Sequence, residues 1–168
     1  MDFKNLTRRR YSVRAYTSDP IEPEKLDTIL KAARLAPTAA NRQPFRIYVI
    51  ETARHQQELK QLYNRDWFVQ APLVLAIAAV KDEAWTRRYD DENYAVVDAT
   101  IVFDHLILQA ADLGLGTCWI AAFDPDGARR LLNLPKDWQP VAFTPLGYPA
   151  DDWREKKRRD KAELVRFI

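Results

Sequence analysis

The sequence is poor in several residues on which common protein chemistries depend. Four glycines stand against ten prolines in 168 residues, so the backbone has many fixed boundaries and few free hinges. With Cys118 as the one cysteine, no intrachain disulfide can form, which suits a reducing compartment. The two histidines, His55 and His105, lie far apart and without ligand spacing. A zinc centre and a Ser/His/Asp site are therefore unsupported. Gly114-Leu115-Gly116 follows a helical pattern rather than a strand and lacks a third glycine, so it is no dinucleotide fingerprint, and there is no P-loop. The opening residues, Met1-Asp2-Phe3-Lys4-Asn5, contain no apolar stretch of signal-peptide type. The longest apolar stretch, Tyr94 to Leu113, is broken by Asp98, Asp104, His105, Gln109 and Asp112. A membrane span needs about 20 mostly apolar residues, so this segment reads as a buried soluble helix. A net charge of +2 gives no strong global field.

What is present supports a packed domain. The chain is 47% hydrophobic and 11% aromatic, enough for a core and against disorder, and residues 1–168 read as one domain. Phe3 to Arg9 makes a short opening helix. Ser18-Asp19-Pro20 is a turn, and Pro23 suits the first turn of a helix. Leu26, Ile29, Leu30 and Ala33 recur at helical spacing, so Glu24 to Leu35 reads as an amphipathic helix ended by Pro37. Arg46 to Ile50 is rich in strand formers, and Thr52 to Tyr63 reads as a helix. Leu73 to Val80 is a continuous apolar run, the pattern of a strand buried on both faces. Ala84 to Asn93 reads as a short helix plus loop, and Tyr94 to Leu113 as a long helix stopped by Gly114. Thr117 to Ile120 is a short buried strand. Asp124-Pro125 caps a helix through Leu132, and Val141 to Leu146 is a strand despite Pro145. Strands alternating with helices imply an α/β or α+β sandwich. The apolar end, Leu164 to Ile168, suits a sheet edge of this subunit or of a partner.

Few residues carry a chemical signal by themselves. His105, beside Asp104 on the long helix, reads as structural, and Cys118 as a buried inert thiol. Two basic clusters stand near the chain ends: Arg8-Arg9-Arg10-Tyr11-Ser12-Val13-Arg14, and Lys156-Lys157-Arg158-Arg159 with Lys161. Together they can clamp a phosphate. Taken from composition alone, two solvated surfaces is the plainer reading. A nucleic-acid patch is a third, but no aromatics are interleaved for base stacking. The polar segment Ala36 to Phe45 is either an ordinary connector or a rigid recognition loop for a heteroaromatic edge.

In this order, the segments resemble the nitroreductase family across nearly the whole chain. Arg9-Arg10-Tyr11-Ser12-Val13-Arg14-Ala15-Tyr16 is similar to the family's opening signature, and Ala36-Pro37-Thr38-Ala39-Ala40-Asn41-Arg42-Gln43-Pro44-Phe45 to its second. Ala110 to Ile120 resembles the segment lining the flavin, and Leu146-Gly147-Tyr148-Pro149-Ala150 with the basic run resembles the C-terminal signature. Thr38, Phe45 and Ala121 stand where the family usually has serine, tryptophan and glycine.

The resemblance implies an α+β three-layer sandwich, a central mostly antiparallel sheet flanked by helices, in an intertwined cytoplasmic homodimer. Tyr94 to Leu113 would be the dimer helix and Val165 to Ile168 a swapped strand. It also implies an oxidoreductase with FMN at the interface, taking hydride from NADH or NADPH and passing it, in ping-pong order, to a nitroaromatic or quinone. Arg10, Ser12, Arg14, Lys156 and Arg158 would hold the phosphate and ribityl chain, and Arg10 would also reach the ring. Thr38, Ala39 and Asn41 would come from the other subunit, and Tyr11, Pro37 and Gln43 would also bind the cofactor. Trp119, Ile120, Ala121 and Ala122 would face the ring. No side chain is assigned a catalytic role, because the flavin carries the chemistry. Trp85, Arg88, Tyr89 and Tyr94 are candidates for substrate contact. No metal, nucleic acid or membrane is expected. The alternatives are a flavin-binding protein of the same fold with another role: dehalogenation, flavin fragmentation or non-catalytic binding.

Overall fold

The computed structural model describes residues 2–168. Its elements run α1 (Phe3–Arg9), α2 (Pro23–Arg34), β1 (Phe45–Glu51), α3 (Gln56–Leu62), β2 (Leu73–Val80), β3 (Thr86–Arg87), β4 (Glu92–Asn93), α4 (Ala95–Asp112), β5 (Gly116–Thr117), α5 (Pro125–Leu132), β6 (Trp138–Gly147) and α6 (Lys161–Leu164). The main sheet has the order β1-β2-β6-β5, and each neighbouring pair is antiparallel.

The unbroken apolar run of β2 is explained by its two covered faces. Leu75, Ile77 and Ala79 pack with α2 and α4, in a cluster containing Ile29, Ala33, Val102, Phe103 and Leu106. Val74 and Ala76 point the other way, toward Leu59 and Leu62 of α3 and Ala128 and Leu132 of α5. Alternation by two therefore splits one hydrophobic run between two cores. The layers are α2/α4, sheet, α3/α5. Helix α2 is also tied to the end of β6: the Tyr148 hydroxyl donates to Glu22 at 2.6 Å and accepts from the Lys25 ammonium at 2.6 Å. The hydrogen bond from Tyr148 holds the Glu22 carboxyl down at about 2.

Three local expectations are corrected. Ala84 to Asn93 forms no helix; Thr86 pairs with Asn93 and Arg87 with Glu92 in a hairpin. An Arg87–Asp90 ion pair and a left-handed Asp91 (φ 56°) turn the chain there. The helix expected from Thr52 to Tyr63 is a 3₁₀ turn at Thr52–Arg54 followed by α3, because His55 (φ −127°, ψ 24°) leaves helical geometry. The strand expected from Thr117 to Ile120 stops at Thr117. Thr117 pairs with Leu146 and Ile120 with Phe143, a register that sets Pro145 opposite Cys118. Proline has no N–H to complete that pair. The Cys118 N–H turns instead to the Thr144 hydroxyl, at 2.9 Å. No helix among the described residues is long and apolar enough to cross a membrane.

Candidate functional site

The stretch after α1 is extended and sewn to two other parts of the chain. Val13 N–H donates to the Thr117 carbonyl at 2.9 Å, and Ser12 bridges Thr117 in parallel. Thr17 N–H donates to Tyr148 O at 3.0 Å, and Ala150 N–H to Ala15 O at 2.8 Å. Val13 and Tyr16 are buried, while Arg14 is exposed and Arg10 and Ser12 are half-buried. Gly116 makes the close approach possible. A Cβ there would meet the Val13 side chain at 2.8 Å, inside any tolerable contact.

Asp151 fastens this stretch to the segment following β6. Its carboxylate accepts the Tyr11 hydroxyl at 2.9 Å and the Arg14 N–H at 2.8 Å. Burial and the Asp151 carboxylate push the Tyr11 phenol up to about 12. Burial raises the Cys118 thiol, against the pull of Arg14, Ser12 and Arg10. A thiol held protonated is a poor nucleophile.

Chain ends 140 residues apart thus meet in one basic cluster. Burial, with the charges of Arg10 and Arg158, lowers the Lys156 ammonium from its ordinary value. Lys156 donates to the Thr7 carbonyl. A cavity of about 470 Å³ opens on Thr7, Arg10, Leu108, Lys156 and Arg158, with Asp104 and Glu155 also on its wall. Among the described residues, Arg10, Lys156 and Arg158 make no ion pair with a carboxylate. Arg10 also borders a larger, more apolar cavity of about 700 Å³, with Tyr11, Val13, Thr117 and Trp153. Gathering cations without a direct carboxylate partner is unfavourable in the free protein and suits a polyanionic ligand.

Trp119 stands just beyond β5, about one-third exposed, with its ring edge-on to Phe103 of α4 at 5.0 Å. Ile120 is buried; Ala121 and Ala122 are exposed. The second signature lies elsewhere. Pro37, Thr38, Ala39, Asn41 and Gln43 border neither basic cavity. They flank or form a 3₁₀ turn at Ala39–Asn41, beside the N-terminal end of α4, where Ala39 N–H donates to Asp98 at 2.9 Å. The segment is strained at Ala40 and Gln43, with φ of 51° and 55°, at a cost of about 1–2 kcal/mol for such a residue with a Cβ, while Asn41, at 54°, is of a type that adopts this geometry more readily. Of the four substrate-contact candidates, Trp85 and Tyr94 pack edge-on at 5.2 Å. Arg88 stacks over Tyr89, which is 82% exposed.

The family model described as Nitroreductase family matches residues 7–62 and 51–148. The chain belongs to the nitroreductase family. Among curated members it is 30% identical over 171 residues to FMN reductase [NAD(P)H] of Bacillus subtilis, covering 92% of this chain and 68% of that one. It is 28% identical to NADH dehydrogenase of Thermus thermophilus, covering 90% and 89%. A crystal structure of a nitroreductase family protein from Clostridium difficile 630 superposes with a TM-score of 0.92 at 35% identity, over 99% of this chain and 98% of the other. The α+β sandwich with its antiparallel sheet is the fold of that family.

Two residues to which sequence reasoning gave no role tie the signature segments of this family member to the fold: Asp151 holds Tyr11 and Arg14, and Asp98 holds Ala39. Asp98 had a visible signal. A carboxylate in an otherwise apolar helical face needs a buried partner. Asp151 had none, because its partners, Tyr11 and Arg14, lie at the other end of the chain.

Proposed function

We propose that this chain is an FMN-dependent NAD(P)H oxidoreductase, a cytoplasmic homodimer that passes hydride to a small acceptor such as a nitroaromatic or quinone. The observation that carries the proposal is the cation cluster of Arg10, Lys156 and Arg158, lacking a carboxylate partner and depressing the Lys156 ammonium. A ribityl phosphate fits that donor set in charge and in hydrogen-bonding capacity. The names of the relatives support the flavin and the nicotinamide donor.

FMN, when bound, supplies the two-electron chemistry, accepting hydride from the nicotinamide and giving it to the acceptor. The chain's own residues bind and orient. Arg10, Lys156 and Arg158 hold the phosphate, and Ser12 adds a neutral donor. Asp151 fixes the backbone that presents Ser12 and Arg14 to the phosphate and ribityl chain. Trp119, Ile120, Ala121 and Ala122 present backbone groups to the ring plane. Thr38, Ala39, Asn41 and Gln43, which border neither basic cavity in their own chain, serve the site of a second copy. Exposed apolar side chains on α1, α4 and the tail, namely Phe3, Val97, Phe167 and Ile168, give that copy a surface to cover.

The test is the visible absorption spectrum of the purified protein with FMN, before and after anaerobic NADH or NADPH. A flavin band that bleaches supports the reductase, and the faster donor is the preferred one. A band that persists favours a binding or other flavin role. No flavin band on the protein after FMN addition and removal of unbound flavin overturns the proposal.

A further inference from the structure

Asp98 is the most deeply buried acid among the described residues. It lies in the first turns of α4, 2% exposed. One carboxylate oxygen accepts the Ala39 N–H at 2.9 Å; the other is buried with no hydrogen-bond partner. A buried carboxylate used only for packing is a poor solution, since an apolar side chain of like volume costs less. The strained turn beside it supplies a reason for the acid. Ala40, Asn41 and Gln43 all adopt left-handed backbone, and such geometry persists only where its surroundings hold it. Within the loop, Gln43 N–H donates to the Thr38 hydroxyl at 3.1 Å and the Gln43 amide to Asn41 O at 3.1 Å. The bond to Asp98 joins the loop to another element. The positive end of α4 keeps a carboxylate favourable at that place.

We propose that Asp98 is a positioning residue for cofactor recognition, holding the Thr38–Gln43 loop through the Ala39 N–H in the shape that meets flavin bound at a second copy's basic cluster. This rests on the FMN reading above and adds to it a residue that touches no cofactor. The acid acts at a distance, as the partners of metal ligands do, where loss costs about 10–100-fold in affinity.

The experiment compares the unaltered protein with Asp98→Ala and Asp98→Asn. It reads FMN affinity by flavin fluorescence titration and Ala39 amide exchange in the flavin-free protein. Asp98→Ala is expected to weaken FMN about tenfold or more and to speed Ala39 exchange. Asp98→Asn retains an oxygen for the Ala39 N–H and is expected to restore most of both. A lower melting temperature with unchanged FMN affinity in Asp98→Ala would make the role purely structural and overturn the proposal. Should that variant not fold, the unaltered protein still decides. An Ala39 amide exchanging as fast as that of an unstructured peptide shows that Asp98 holds nothing. No FMN binding by the unaltered chain sinks the functional reading and this proposal with it. Binding that survives Asp98→Ala sinks this one alone.

Discussion

Lys156 illustrates how one side chain can be unfavourable in the free protein and useful in the proposed flavin complex. Its ammonium sits below its ordinary pKa because burial and the charges of Arg10 and Arg158 oppose the proton. A bound phosphate reverses the sign of that neighbourhood. Lys156→Ala is therefore expected to weaken FMN by about 10–100-fold, the range of a lost charge-assisted hydrogen bond, while leaving the melting temperature of the flavin-free protein unchanged or higher. Fluorescence titration and thermal melts measure the two. Tyr11 gives a pH signature. Its phenol is raised from 10.0 to about 12 in the fold, so the fold favours the protonated form. That stability is complete below the unfolded value and is lost as pH rises from about 10 to about 12. Denaturation midpoints over that window should fall more for the unaltered chain than for Tyr11→Phe, which has no proton to lose. An identical fall in both would remove Tyr11 from the account.

Helix α4 joins core, site and second signature along one element. Asp98 near its start holds the Ala39 loop, Phe103 in its middle supports Trp119, and Leu108 near its end borders the basic cavity. At 1.5 Å per residue, its 18 residues span about 27 Å. The loop and the cation cluster thus meet different parts of one long rod. Phe103 is fully buried, and Phe103→Ala is expected to cost about 3–5 kcal/mol by the cavity it leaves. It also frees the Trp119 ring, so flavin affinity should fall along with stability. Urea denaturation and flavin titration on the same sample separate the effects. Stability lost with full flavin affinity would show that Trp119 needs no support from α4. The break in pairing at Cys118 is likewise an element-scale event, since Pro145 on β6 decides where β5 stops.

The whole molecule leaves apolar side chains uncovered at its tail and on α1 and α4, Ile168, Phe167, Phe3 and Val97 among them. With the loop at 38–43 bordering neither basic cavity, the proposed site is complete only in a dimer. Dimer dissociation and flavin release should therefore coincide on dilution, followed by light scattering and absorbance together. A stable monomer with full flavin would count against the shared site. Removing residues 164–168 should shift both curves to higher protein concentration.

The sequence alone determined much of the order of elements. The continuous run at 73–80 had the pattern of a strand covered on both faces, and Pro23, Gly114 and Asp124-Pro125 marked helices whose ends fall within a residue of those expected. The signatures named Arg10, Ser12 and Arg14, because short motifs carry their chemistry locally. The remainder depended on contacts between distant residues, which no local pattern encodes. Asp151 reaching Tyr11, Pro145 standing opposite Cys118, and the hairpin at 86–93 each depend on a neighbour that only folding supplies. The same holds for the basic ends. From composition alone, two solvated surfaces was the plainer reading of them. Tertiary structure placed Arg10, Lys156 and Arg158 close enough to perturb one another, and that proximity is what supports the proposed anion site.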